Sequence, residues 1–184
     1  MGLDMYLEKR TYVKNWDHMK PSEKHQVLVK QGNKIREDID PKKISYITEE
    51  VIYWRKANAI HKWFVDHVMD EEDQSGEWPV SKEKLKDLLE LCKEVIANSK
   101  LVKGKIKNGR RINPKTKEWE SILEDGEYIE DPSVAENLLP SKEGFFFGST
   151  DYDEYYLREI IRTAEALEKV VENNSGEYFY QASW

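Results

Sequence analysis

Cysteine is nearly absent from this chain of 184 residues: Cys92 stands alone, so no internal disulfide can staple the fold. Placed on a helix-periodic apolar face, it reads as a small buried hydrophobe rather than a reactive thiol. Long hydrophobic runs are missing too. The longest, such as Phe145-Phe146-Phe147, are far too short to cross a bilayer. Nor is there an excess of positive charge. Lys and Arg total 29 against 36 Asp and Glu, a net charge of -7, which repels nucleic acid unless a local basic patch intervenes. The motifs HExxH, GxSxG, GxxxxGK[ST] and GxGxxG do not occur, which removes the common routes to zinc proteolysis, serine hydrolysis and phosphate-loop binding.

The opening residues carry Asp4 where a secretory signal has basic residues, and Tyr6 where myristoylation wants Ser or Thr. Together with the single cysteine, this predicts a reducing compartment, the cytoplasm.

What is present is enough apolar material for a core: 39% of residues are hydrophobic and 11% aromatic, which excludes wholesale disorder. The patterning predicts one α+β domain with three main helices packed on a small, mostly antiparallel sheet. Leu3, Met5 and Leu7 alternate as in a half-buried strand. Gly32-Asn33 marks a hairpin between residues 26–31 and 34–37, and residues 44–47 form a further short strand. Thr48 reads as the N-cap of a long helix over residues 48–70, with Glu49 and Glu50 in its first turn. Its apolar stripe is Tyr53, Ala57, Ile60, Phe64 and Val68. A second helix follows Pro79 with Ser81 as cap, burying Leu85, Leu88, Leu89, Cys92, Val95 and Ile96. A third runs over residues 151–173, capped by Thr150, with Tyr156, Ile160, Ala164, Leu167 and Val171 as its stripe. Residues 178–184 close the chain as a strand. Between the second and third helices, Asn108-Gly109 and Asp125-Gly126 predict an inserted β-meander over residues 103–130.

The four histidines, His18, His25, His61 and His67, show no metal-ligand spacing, and no metal or cofactor is expected. Asp38-x-Asp40 and Asp151-x-Asp153 have the chemistry for Mg²⁺. At Asp151 and Asp153, stabilising a helix N-terminus is the preferred reading. The segment Gly148-Ser149-Thr150 has the outline of an anion cradle at a helix start. The basic stretch Lys100, Lys103, Lys105, Lys107, Arg110, Arg111, Lys115 and Lys117 suits phosphate contact, but acidic residues 118–131 follow it. A solvated, mutually neutralised face is preferred there to a nucleic-acid surface.

The most informative stretch is Tyr53-Trp54-Arg55-Lys56-Ala57-Asn58-Ala59-Ile60-His61. On a helix, Trp54, Asn58 and His61 align at i, i+4 and i+7, the wall of a pocket, with Arg55 beside Asn58. The competing reading is that these polar groups hydrogen-bond a sheet or loop and lock the helix in place.

Three segments resemble a family of small bacteriophage and prophage proteins. They are Met1-Gly2-Leu3-Asp4-Met5-Tyr6-Leu7, Tyr53 to Asn58 with His61, Trp63 and Phe64, and Leu138-Leu139-Pro140 followed by Gly144 to Asp153. The terminal Tyr180-Gln181-Ala182-Ser183-Trp184 fits it too. The resemblance implies an accessory protein of the host-cell cytoplasm that binds rather than catalyses, for instance an antagonist of host defence. Its partner would be a host protein or a small nucleotide-like ligand, held by Trp54, Arg55, Asn58, His61, Gly148, Ser149 and Thr150. A homo-oligomer is compatible with this and a membrane partner is not expected. Two rival readings stand beside it: a small hydrolase or transferase using His61 with Asp151 or Asp153, and nucleic-acid binding by residues 100–117.

Overall fold

The computed structural model describes residues 2–144, 146–172 and 175–184. In chain order the elements are β1 (Asp4–Tyr12), β2 (Lys30–Gln31), β3 (Lys34–Ile35), β4 (Tyr46–Arg55), α1 (Asn58–His67) and β5 (Gly76–Val80). There follow α2 (Lys82–Asn98), β6 (Leu101–Ile112), β7 (Trp119–Ile129), α3 (Ser133–Leu138), α4 (Glu154–Glu172) and β8 (Glu177–Ser183). The fold is α+β, with α1, α2 and α4 as its main helices.

The main sheet has the order β4-β1-β8-β5, every neighbouring pair antiparallel. Alternation decides which side faces the helices. Leu3, Met5 and Leu7, then Ile52 and Trp54, then Tyr178, Tyr180 and Ala182 point into one core shared with Ile60, Phe64, Leu85, Leu88, Ile160 and Leu167. The other face carries Tyr6 against Tyr53, with ring centroids 5.0 Å apart, and Arg10 4.3 Å over the Phe179 ring. Burying each large aliphatic side chain of the core is worth about 1.5–3 kcal/mol.

The segment expected to open a helix at Thr48 is instead strand β4. Ile47, Val51, Ile52, Tyr53 and Trp54 are β-branched or aromatic, and the pleat suits them better than a helical turn does. Glu49 and Glu50 are exposed on this edge strand, where charge discourages further pairing. The chain then turns sharply. Lys56 adopts φ 61°, its N–H donates to Leu3 O at 2.8 Å, and α1 begins two residues later.

Helix α2 buries Leu85, Leu88, Leu89, Cys92 and Val95 as expected, whereas α4 keeps Ile160, Ala164 and Leu167 of its expected stripe. Ser81 caps α2, accepting from Lys84 N at 3.3 Å. Asp153, not Thr150, caps α4, its Oδ1 accepting from Tyr155 N and Tyr156 N at 2.9 and 3.0 Å. The α4 stripe is accordingly shifted, burying Leu157, Ile160, Thr163, Ala164, Leu167 and Val170. Strand β5 was not foreseen, because Pro79 argues against a strand; it is tolerated here because β5 is an edge.

The inserted β excursion is a two-stranded ribbon, β6 against β7. Its reversal lies at residues 113–118, where Asn113 N donates to Glu118 O at 2.8 Å. Gly109 instead sits where the register shifts between Lys107 and Arg110. Gly126 faces Gly104 across the ribbon, leaving room for Ile106 and Tyr128 to lie over them. A second excursion, residues 13–45, joins β1 to β4. From Lys14 to Ser45 none of its residues is buried.

Candidate functional site

Because Trp54 belongs to β4 and Asn58 and His61 to α1, the three do not share one helix face. Trp54 is fully buried in the core, its indole N–H donating to Thr163 Oγ at 2.8 Å. Arg55 is exposed at the end of β4, opposite Asp4.

Asn58 begins α1 and reaches the loop that precedes α4. Its Nδ2 donates to Phe147 O at 3.1 Å and to Ser149 O at 2.7 Å, while its Oδ1 accepts from Lys142 N at 3.2 Å. Both amide protons and the carbonyl are therefore engaged in holding Lys142, Phe147 and Ser149. Ser141 adds a second tie, donating through Oγ to Thr150 O at 2.8 Å. Leu3 N donates to Phe146 O at 3.1 Å and brings the start of β1 against the same loop. The structure thus brings Asn58, Gly148, Ser149 and Thr150 together, but as a pinned loop. Gly148 has φ 90°, and a Cβ there would stand 3.1 Å from Lys56 Cβ. The helix start lies further on, at Glu154, and its leading N–H groups already meet the Asp153 carboxylate, so residues 148–150 do not form an anion cradle there.

His61 is completely buried. Its Nδ1 lies 2.7 Å from Tyr180 Oη and its Nε2 lies 3.0 Å from Asp73 Oδ1. An ionised carboxylate only accepts, so Nε2 carries the proton and Nδ1 accepts from the Tyr180 hydroxyl. Asp73 Oδ2 in turn receives Lys142 Nζ at 2.6 Å. Phe147 stands edge-on to the imidazole with centroids 5.2 Å apart, and Trp184 lies at 5.4 Å. Tyr180 stacks on Phe64 at 3.8 Å.

Burial pushes the His61 imidazole below its ordinary value; Asp73 opposes that shift and Lys142 adds to it. Burial likewise raises the Tyr180 phenol well above its usual range. Both groups are neutral at pH 7, and the tyrosine hydroxyl is sealed in the core. What the row Tyr180–His61–Asp73–Lys142 does chemically is tie β8, α1, the turn after α1 and the loop before α4 together. Only its Asp73–Lys142 end meets solvent.

The acids proposed as partners of His61 make other contacts. Asp153 is the α4 cap, buried, its carboxyl pushed up chiefly by burial. Asp151 pairs with Lys107 at 2.7 Å. The acid beside His61 is Asp73, in the turn after α1, where nothing in the local sequence marks it as a partner. Lys142 and Thr163 carried no sequence signal of a partnership. Tyr180 does carry one: its alternation with Tyr178 and Ala182 in the last strand is the pattern of a buried face. Among the described residues no group of three or more His, Cys, Asp or Glu is placed to hold a metal ion. Comparison with protein-family models, curated proteins and solved structures finds no match to the chain.

Proposed function

We propose that the chain is a non-enzymatic binding protein of the bacteriophage accessory kind, acting in the host-cell cytoplasm by docking onto a host protein. The observation that carries this reading is the strap of residues 13–45. It keeps Trp16, Leu28 and Ile35 at 48, 60 and 59% exposure although its backbone is held in a defined shape. Asn15 brackets His25 with two hydrogen bonds of 2.8 Å, Arg36 N reaches Val29 O at 3.0 Å, and β2 pairs with β3. Leu28, Val29, Ile35 and Ile39 line an open groove of about 500 Å³. At the root of the strap, Tyr12 meets Tyr46 with centroids 5.1 Å apart, and Trp16 donates to the Tyr12 hydroxyl at 3.0 Å. Apolar side chains grouped along an ordered segment and left in water suit a surface for a protein partner. Inhibition of a host enzyme or of a defence component is the role such a surface suits.

The alternative partner, a nucleotide-like ligand, finds less support, since the polar atoms of Asn58 and His61 are engaged inside the molecule. The test is affinity capture from host-cell lysate, with the captured protein then purified and its affinity measured by calorimetry. Replacing Trp16 and Leu28 by Ser is expected to weaken that affinity at least about tenfold while changing stability by only about 0.5 kcal/mol each, as exposed positions do. Undiminished affinity in that variant removes the strap from the reading. Failure to capture any protein, with a thermal shift on adding nucleotides, replaces the protein partner by the small ligand.

A further inference from the structure

The basic stretch of the ribbon divides into two unlike halves. Near its base most of the cations are neutralised: Lys100 by Glu130, Lys105 by Asp125 and Lys107 by Asp151, each at 2.7 Å, while Lys103 stands opposite Glu127 in the register. Toward the tip only Arg111 has a carboxylate partner, Glu120 at 2.5 Å. Arg110, Lys115 and Lys117 have none among the described residues, and Glu118 is the one acid between Asn108 and Trp119. The tip is a cationic pole on a chain whose net charge is -7.

An aromatic ring stands at this pole. Trp119 is 68% exposed, the most exposed large apolar side chain among the described residues. It pairs across the ribbon with Ile112, and Arg110 pairs with Ser121. Side chains alternate along a strand, so Trp119, Ile112 and Arg110 share one face, with Lys115 and Lys117 on the turn beside them.

A protein hot spot surrounds its Trp with apolar contacts that exclude water. Trp119 has one such neighbour in Ile112 and shares its face of the ribbon with Arg110, while Glu118 and Glu120 flank it in the chain. Cations beside an accessible indole are what a base-plus-phosphate ligand needs, and only unpaired strands present a free base face. We propose that the tip of the β6–β7 ribbon binds single-stranded nucleic acid. Trp119 stacks on a base while Arg110, Lys115 and Lys117 contact flanking phosphates. The acidic remainder of the molecule repels the strand and confines contact to the tip.

Fluorescence anisotropy of the full chain with a labelled oligothymidine tests this. Three phosphate contacts predict a log–log salt slope of about -2. Trp119→Ala is expected to weaken binding about tenfold at every salt concentration, since base stacking on an aromatic is worth that much. Lys115→Gln with Lys117→Gln is expected to flatten the slope by about 1.4. Both changes lie on exposed side chains, and unchanged thermal unfolding checks that the ribbon persists. Absence of binding at low salt overturns the proposal, as does binding that Trp119→Ala leaves intact. Equal affinity for a duplex of the same length also overturns it, leaving charge alone. Sedimentation of the unliganded chain covers the remaining occupant. Self-association that is lost in the tip variants, without oligonucleotide binding, assigns the tip to an acidic surface on a second copy instead.

Discussion

His61 shows how far a residue can be recognised from spacing alone. An imidazole beside an amide on one helix was visible in the spacing of Asn58 and His61, and the alternative of a structural lock was visible with it. The geometry supports the lock, because every polar atom of Asn58 and both ring nitrogens of His61 have partners inside the chain. Asp73 and Lys142, lying 12 and 81 residues away from His61, reach it only through folding, so no local pattern announces them. The lock has a pH signature. An unfolded histidine takes up a proton near pH 6.5, about where a free imidazole does. Folded His61 resists that proton, chiefly because it is buried. The unfolded state therefore binds more protons as pH falls. The stabilisation is complete above about pH 6.5 and drains away as pH drops toward the depressed folded value. Urea titrations should show the advantage of the natural chain over His61→Gln narrowing as pH falls below about 6.5. A constant advantage would mean that His61 takes up its proton equally readily folded and unfolded, and an advantage that widened would mean that folding favours the imidazolium.

At the scale of elements, legibility followed the strength of local chemistry. Helix α2 was readable end to end, because Ser81 and a run of leucines at helical spacing agree. Strand β4 was not. Thr48-Glu49-Glu50 has the composition of a helix start, and the distal strand leaves those acids in water, where they look the same in either conformation. The better cue was the alternation of buried Ile52 and Trp54. In the ribbon, the Asx-Gly pairs pointed to turns, whereas Gly109 serves a register shift and Gly126 makes room for Ile106. The caps allow a direct check. Asp153→Ala removes the acceptor for two N–H groups of α4 and should cost about 1–2 kcal/mol, lowering Tm by about 2–8 °C. Thr150→Ala should change Tm by no more than about 1–2 °C, since its side chain does not cap the helix. The reverse ranking in a calorimetric scan would return the cap to Thr150.

For the whole molecule, the α+β class and the three main helices were legible, but the order of the sheet was not. Nothing in alternation says which strand lies beside which, and β8 belongs between β1 and β5. It supplies Tyr178, Tyr180 and Ala182 to the core and Tyr180 to His61. Ending the chain at Glu172 would uncover two strand edges at once and leave His61 Nδ1 without its donor. Such a chain is expected to lose its cooperative unfolding transition, seen as a flat calorimetric trace. A sharp transition retained at a similar temperature would show that the sheet closes without β8.

That inner position also makes the molecule divisible. A strand that enters a sheet along both edges carries its pairing instructions in its own backbone and in the alternation of its side chains. Supplied separately, a peptide of residues 175–184 should rebuild the native fold from the shortened chain. The same molecule then becomes a two-piece sensor, in which refolding reports that the pieces have met.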